Sequence, residues 1–226
     1  MNKTVLVFDL DDTLYKEIDF LKSAYKEISN LIASVTPVSS SIIYNQMFSF
    51  YENDLNAFEE ILKYYKLEKF SALDLVQIYR NHEPSISLTK DIQELLTRLK
   101  KHTYKIGLIT DGRSVQQRSK LKALNLLDYF DDIIISEEFG SEKPSSLNFE
   151  YYVNKYGADF KYFYVGDNTK KDFIAPNQLG WTSVCLKDVG QNIHNQDFDI
   201  SEEQKPKHLI ESLESVETLV LYGSLS

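Results

Sequence analysis

Apolar positions along this chain follow two rhythms. The first is a set of short unbroken runs: Val5-Leu6-Val7-Phe8, Ile106-Gly107-Leu108-Ile109, Ile133-Ile134-Ile135, Phe163-Tyr164-Val165 and Thr182-Ser183-Val184-Cys185-Leu186. Each is rich in β-branched or aromatic residues and lacks strict alternation, as a strand does when a parallel sheet is covered on both faces. The second rhythm is helical. Ile92, Leu95, Leu96 and Leu99 keep i, i+3, i+4, i+7 spacing, and Phe149, Tyr152, Val153 and Tyr156 repeat it before Gly157, a C-cap residue. Val115, Leu121, Leu124 and Leu127 fit the spacing less well. Strands alternating with helices predict an α/β fold, a doubly wound parallel sheet of Rossmann-like kind, with a last strand near His208-Leu209-Ile210. Right-handed crossovers then bring the strand-to-helix loops to one rim.

Residues 16–87 break the alternation. Leu21, Ala24, Tyr25, Ile28, Leu31 and Ile32 are spaced for a helix, as are Phe58, Ile61, Leu62 and Tyr65, and then Leu75, Val76 and Tyr79. Pro37 and Ser39-Ser40-Ser41 punctuate the first two of about four helices. The expected organisation is a core of residues 1–15 and 88–226 with a helical cap of residues 16–87 over the rim. The other arrangement is a helical layer on one sheet face. Gly190 to Lys207, rich in Asn, Gln and acids, is expected to be a surface loop.

Composition narrows the classes. A chain of 226 residues buries roughly 70–75% of the surface its unfolded form exposes, so no disulfide or structural metal is needed for folding. The lone Cys185 fits a reducing compartment and reads as a buried strand residue. No apolar run approaches a membrane span, and the run after Met1 is too short for a signal peptide, so a cytoplasmic protein without membrane contact is expected. A net charge of −9 argues against nucleic acid as a partner but leaves room for a small anion at a local site. Oligomeric state is not written in the pattern.

Four polar clusters fall where the rim should be: Asp9-Leu10-Asp11-Asp12-Thr13, Thr110-Asp111-Gly112, Glu142-Lys143-Pro144 and Gly166-Asp167-Asn168 with Asp172 beyond. Carboxylates crowded together repel one another unless protonated or joined by a cation, and oxygen donors without imidazole or thiolate select a hard ion such as Mg²⁺. The Thr110 hydroxyl, the Asp111 and Gly112 amides at a helix start and the Lys143 ammonium make an anion site. Together these predict phosphate chemistry. Asp9 and Asp11, two apart in extended chain, can point to one side. A carboxylate is ionised at neutral pH and can attack phosphorus unaided, and a second carboxyl can protonate the leaving oxygen and then activate water.

DLDDT, Thr110, Lys143 and GDNTKKD resemble, in order and spacing, the four motifs of the haloacid dehalogenase-like superfamily. The resemblance covers nearly the whole chain. It implies a Rossmann-like core with a cap inserted after the first motif. It further implies a Mg²⁺-dependent phosphatase acting on a small phosphorylated metabolite through an aspartyl phosphate. Asp9 would be the nucleophile and Asp11 the general acid/base. Thr110, Asp111 and Lys143 would hold the phosphoryl group. Asp9, Asp11 (through its backbone carbonyl) and Asp167 would bind the metal, with Asp172 behind them. Lys171 departs from the family, where Asn is common.

Other readings accompany these. A calcium loop of EF-hand type is opposed by Leu14 and Phe20 at its glycine and glutamate positions. Asp12 and Thr13 read as turn-formers. Asp111 and Asp172 can each be acids matched to a helix dipole. Lys16 and Glu17 are hinge charges. His82, His102, His194 and His208 lie outside every cluster, at the surface or an interface. Alternative activities are a phosphosugar mutase, a dehalogenase, which the resemblance implies would lack the second aspartate, and a phospho-accepting signalling module. No motif in 16–87 names a substrate, so specificity is expected in cap residues that face the rim.

Overall fold

The computed structural model describes residues 3–224. Six strands, β1 (Thr4–Phe8), β2 (Lys105–Thr110), β3 (Asp132–Ile135), β4 (Lys161–Gly166), β5 (Thr182–Leu186) and β6 (His208–Ile210), form one sheet in the order β3-β2-β1-β4-β5-β6. Every pairing is parallel. The helices are α1 (Glu17–Ala33), α2 (Ser40–Glu52), α3 (Ala57–Tyr64), α4 (Ala72–Asn81), α5 (Lys90–His102), α6 (Ser114–Ala123), α7 (Ser136–Phe139), α8 (Leu147–Tyr156), α9 (Ile174–Gln178) and α10 (Glu214–Tyr222).

Both sheet faces are covered, which is why the strands read as continuous apolar runs. Leu6 and Phe8 of β1 pack with Leu95, Leu96 and Leu99 of α5 and Val216 and Leu219 of α10. Val5 and Val7 point the other way, into a cluster with Phe149 and Tyr152 of α8, Tyr164 and Trp181. The predicted α/β doubly wound sheet is therefore the observed one. Helices α1 to α4 bury a third cluster of their own, built on Leu21, Tyr25, Ile28, Ile43, Met47, Ile61 and Leu75.

Strand order reverses beside β1, between β1 and β4. In sheets of this kind a crevice opens there at the carboxyl ends of the strands. The segments leaving β1, β2 and β4 carry Asp9, Asp111 and Asp167. Among the described residues no helix is long and apolar enough to cross a membrane.

Two readings of the sequence need correction. The buried positions of α6 are Gln117, Lys120 and Leu121, followed by Leu124 at its C-cap, while Val115 and Leu127 are exposed. The helix periodicity is intact; polar side chains occupy two of its inward positions, which is why the apolar positions alone fit it poorly. The segment after β5 is also more than a surface loop. Asp188 Oδ1 accepts the amides of Gly190, Gln191 and Asn192, and Ile193 packs against the cluster of α1 to α4.

Candidate active site

Asp9 follows β1 directly, and its amide donates to the Val165 carbonyl of β4 at 2.8 Å, so the parallel ladder itself fixes its backbone. Its carboxylate lies 2.6 Å from Lys143 Nζ. The same ammonium reaches Asp172 Oδ1 at 2.8 Å and donates to Tyr164 OH at 3.0 Å. Asp172 Oδ2 in turn accepts the amides of Asp167 and Asn168 at 3.1 and 2.9 Å, folding the loop after β4 around itself. That loop requires Gly166: a Cβ there would meet Asp172 Oδ2 at 2.4 Å.

Asp9, Asp167 and Asp172 are all buried, and one carboxylate oxygen from each lies within 4.8 Å of the other two. Three carboxylates face one lysine. The charge imbalance shows in proton affinity. Burial pushes the Asp9 carboxyl up to about 7, against the pull of Lys143 and with the help of Asp172. Burial raises Asp167 further, to about 9, reinforced by Asp172 and Asp9. The cluster is therefore short of positive charge, and its donors are all hard oxygens, which fits a small divalent cation of the Mg²⁺ kind.

Asp11 belongs to a neighbouring group. Its Oδ1 accepts from Lys120 Nζ at 2.6 Å and from Tyr15 OH, and its Oδ2 from Gln117 Nε2 at 2.9 Å. Burial works to raise its pKa, but the Lys120 ammonium and these hydrogen bonds outweigh burial and hold the carboxyl below its ordinary value. The Asp11 side chain thus lies outside the carboxylate cluster that can hold a cation. Gln117 Nε2 also donates to Thr110 Oγ1 at 2.5 Å. Accepting there leaves the Thr110 hydroxyl its own proton to donate.

The Asp111 side chain is held by two other groups. Its carboxylate accepts the Lys143 amide at 3.1 Å and the Lys171 ammonium at 2.7 Å. Lys171, the departure noted in the sequence, is thereby neutralised. The helix start expected to bind an anion is partly taken: the Gly112 amide donates to Ser136 Oγ, and the Ser114 amide to Glu137 Oε2 at 2.7 Å. Asp12 sits in the left-handed region at φ 54° and accepts the amides of Glu17 and Ile193, both at 2.9 Å, the turn-forming role expected of it. His82 is buried, its ring against Phe20 and bonded to Ser23, so it packs inside rather than at the surface. Cys185 is buried, as expected.

The sequence reading passed over Lys120, Gln117 and Asn192. Asn192 Nδ2 donates to Asp167 Oδ2 at 2.8 Å, and its Oδ1 accepts from Lys16 at 2.7 Å. A polar residue at an inward helix position was a readable signal for the first two. Asn192 lies in irregular chain, where periodicity offers none.

The fold is a doubly wound α/β sheet whose switch point gathers buried carboxylates around a lysine. The family model described as "Haloacid dehalogenase-like hydrolase" matches residues 6–186, and the chain belongs to that family. It is 26% identical to a glyceraldehyde 3-phosphate phosphatase of Methanocaldococcus jannaschii, over 95% of this chain and 96% of the relative. It is 28% identical to a protein of the same description from Pyrococcus furiosus, over 81% and 80%. Among solved structures it is similar to the magnesium-bound HAD-hydrolase YfnB of Bacillus subtilis, with a TM-score of 0.68 at 20% identity, covering 97% of this chain and 99% of that one. The chain is thus a hydrolase of the phosphatase kind.

Proposed function

We propose that this protein is a Mg²⁺-dependent phosphatase that removes the phosphoryl group of a small phosphorylated metabolite by way of an aspartyl phosphate on Asp9. The observation that carries the reading is the buried cluster of Asp9, Asp167 and Asp172 bridged by Lys143 at the ends of β1 and β4. The relatives' description as glyceraldehyde 3-phosphate phosphatases makes three-carbon sugar phosphates the first substrates to test.

Asp9 and Asp167, with the backbone carbonyl of Asp11, would hold Mg²⁺, and Asp172 would set the loop and Lys143. When bound, the ion draws charge from the phosphoryl oxygens so that an anionic nucleophile can approach an anionic ester. Lys143 and the Thr110 hydroxyl hold the same oxygens, assisted by the Asp111 amide. In the first half-reaction an Asp9 oxygen bonds to phosphorus and the ester P–O bond breaks. The departing oxygen takes a proton from Asp11 and leaves as the alcohol. In the second, Asp11 takes a proton from water, whose oxygen attacks phosphorus, and Asp9 and inorganic phosphate separate. The Lys120 ammonium 2.6 Å away favours the ionised Asp11 of the second half, while an incoming phosphate dianion raises its proton affinity for the first. In this reading the helices of residues 16–87 are a cap that closes the crevice and selects the leaving group.

The test is phosphate release over a panel of sugar and nucleoside monophosphates, with Mg²⁺ and with chelator. The expected result is release only with metal, fastest on a small sugar phosphate. Release that is indifferent to the chelator would overturn the metal role, and uniform inactivity of the folded, metal-loaded protein would overturn the enzyme reading. Isomerised sugar phosphate formed faster than inorganic phosphate would make it a mutase.

A further inference from the structure

We infer that Lys120 is a positioning residue for the reaction: it fixes the Asp11 carboxylate and ties that fixation to the start of α1. The inference rests on Asp11 serving as the acid/base proposed above.

Lys120 is 1% exposed and lies on the inward face of α6 beside Leu121, where an apolar residue would ordinarily sit. A buried ammonium persists only when carboxylates and hydrogen bonds replace its water. Here Lys120 Nζ lies 2.6 Å from Asp11 Oδ1, 3.3 Å from Glu17 Oε1 and 4.6 Å from the centroid of the Phe20 ring. Gln117, three residues earlier on the same helix, holds the other Asp11 oxygen and the Thr110 hydroxyl. One helix therefore orients both the acid/base carboxylate and a phosphate-binding hydroxyl.

The partners come from different parts of the chain. Asp11 leaves the central strand, Tyr15 lies in the connection to α1, and Glu17 and Phe20 belong to the first turn of α1. Through Glu17 and Phe20 the placement of Lys120 depends on where the inserted helices stand against the core. Movement of α1 away from α6 would remove two of its contacts and leave Asp11 as its main partner. A lysine serving only to fill the core would not need to meet the acid/base group from one side and the first turn of α1 from the other.

A double-substitution cycle tests this. The variants are Lys120→Met, Lys120→Arg, Asp11→Asn and Asp11→Asn/Lys120→Met, each with Mg²⁺, on the best alkyl phosphate and on p-nitrophenyl phosphate, whose leaving oxygen needs no proton. Lys120→Met should lower kcat on the alkyl phosphate by about 10–100-fold with KM changed less than about threefold, as expected of an acid/base defect. The single-turnover rate of p-nitrophenol release, which needs no proton from Asp11, should fall much less, and Lys120→Arg should retain more activity than Lys120→Met. In the Asp11→Asn background the lysine change should cost less than about twofold, because it acts through Asp11. Equal losses in both backgrounds, or an equal loss in single-turnover p-nitrophenol release, would overturn the inference. If Lys120→Met leaves Asp11 buried without its ammonium and fails to fold, the pair Asp11→Asn and Asp11→Asn/Lys120→Met carries the decision, since the first keeps Lys120 beside Glu17 and the second removes both charges of the Asp11–Lys120 pair. Full alkyl-phosphate activity in Asp11→Asn would remove the acid/base reading itself; a slow Asp11→Asn beside an unaffected Lys120→Met would remove the role of Lys120 alone.

Discussion

Asp9 owes its character to its neighbours. A carboxylate in water needs no help to stay ionised, but Asp9 is buried and shares Lys143 with Asp172 while Asp167 stands nearby. Replacing it with asparagine keeps the shape and removes the proposed nucleophile. Asp9→Asn should therefore lower phosphate release by at least about a thousandfold with little change in fold, measured by steady-state kinetics and circular dichroism. Lys143→Met should be worse for the fold, because it leaves two buried carboxylates without their ammonium. A loss of about 3–5 kcal/mol in denaturant unfolding is expected. At this scale the sequence was informative about which side chains gather and silent about orientation. Asp9, Thr110, Lys143, Asp167 and Asp172 all reach the end of the sheet, because parallel strand ends must share a rim. Nothing in DLDDT tells that the Asp11 side chain turns to Lys120, or that the Asp111 carboxylate bridges Lys143 and Lys171.

At the scale of elements, two segments decide how the site is held. Helix α6 shows a gap in its apolar rhythm at Gln117 and Lys120, and the gap is where Asp11 and Thr110 are held. The segment after β5 closes on Asp167 through Asn192 and Gln196, whose side chain donates to the Asp167 carbonyl at 2.8 Å. Asn192→Ala frees one Asp167 oxygen from its donor and should weaken Mg²⁺ binding by about tenfold, the usual scale for a partner of a metal ligand. Titration calorimetry checks it, and unchanged affinity would detach this segment from the site. The Gly166 contact makes a similar case in the core. Gly166→Ala drives a methyl into the Asp172 carboxylate and should impair metal affinity before it impairs folding. The strands and long amphipathic helices were legible because burial on two faces, or on one stripe, writes a period into the chain. The loop after β5 was not, because side-chain to backbone hydrogen bonds from Asp188, Asn192 and Gln196 hold it, and these leave no period.

For the molecule as a whole, proton affinity links the site to stability. Asp9 and Asp167 have carboxyls raised to about 7 and about 9, above their values in an unfolded chain. Between roughly pH 4 and these values the native state binds more protons than the unfolded state, so stability from this cluster falls as pH rises. In the proposed reading a divalent cation would replace those protons and remove the penalty. The Mg²⁺-induced rise in Tm over a chelated sample should therefore grow from pH 6 to pH 9; a constant or shrinking difference would show that the ion does not bind this cluster.

The measurement closest to the central claim is acid-quenched mass spectrometry of the enzyme during turnover of its best substrate with Mg²⁺. The account predicts a peptide containing Asp9 that carries one added PO₃ group, absent without substrate and absent in Asp9→Asn. Sustained turnover with Asp9 unmodified at every quench time, together with undiminished activity of Asp9→Asn, would contradict it.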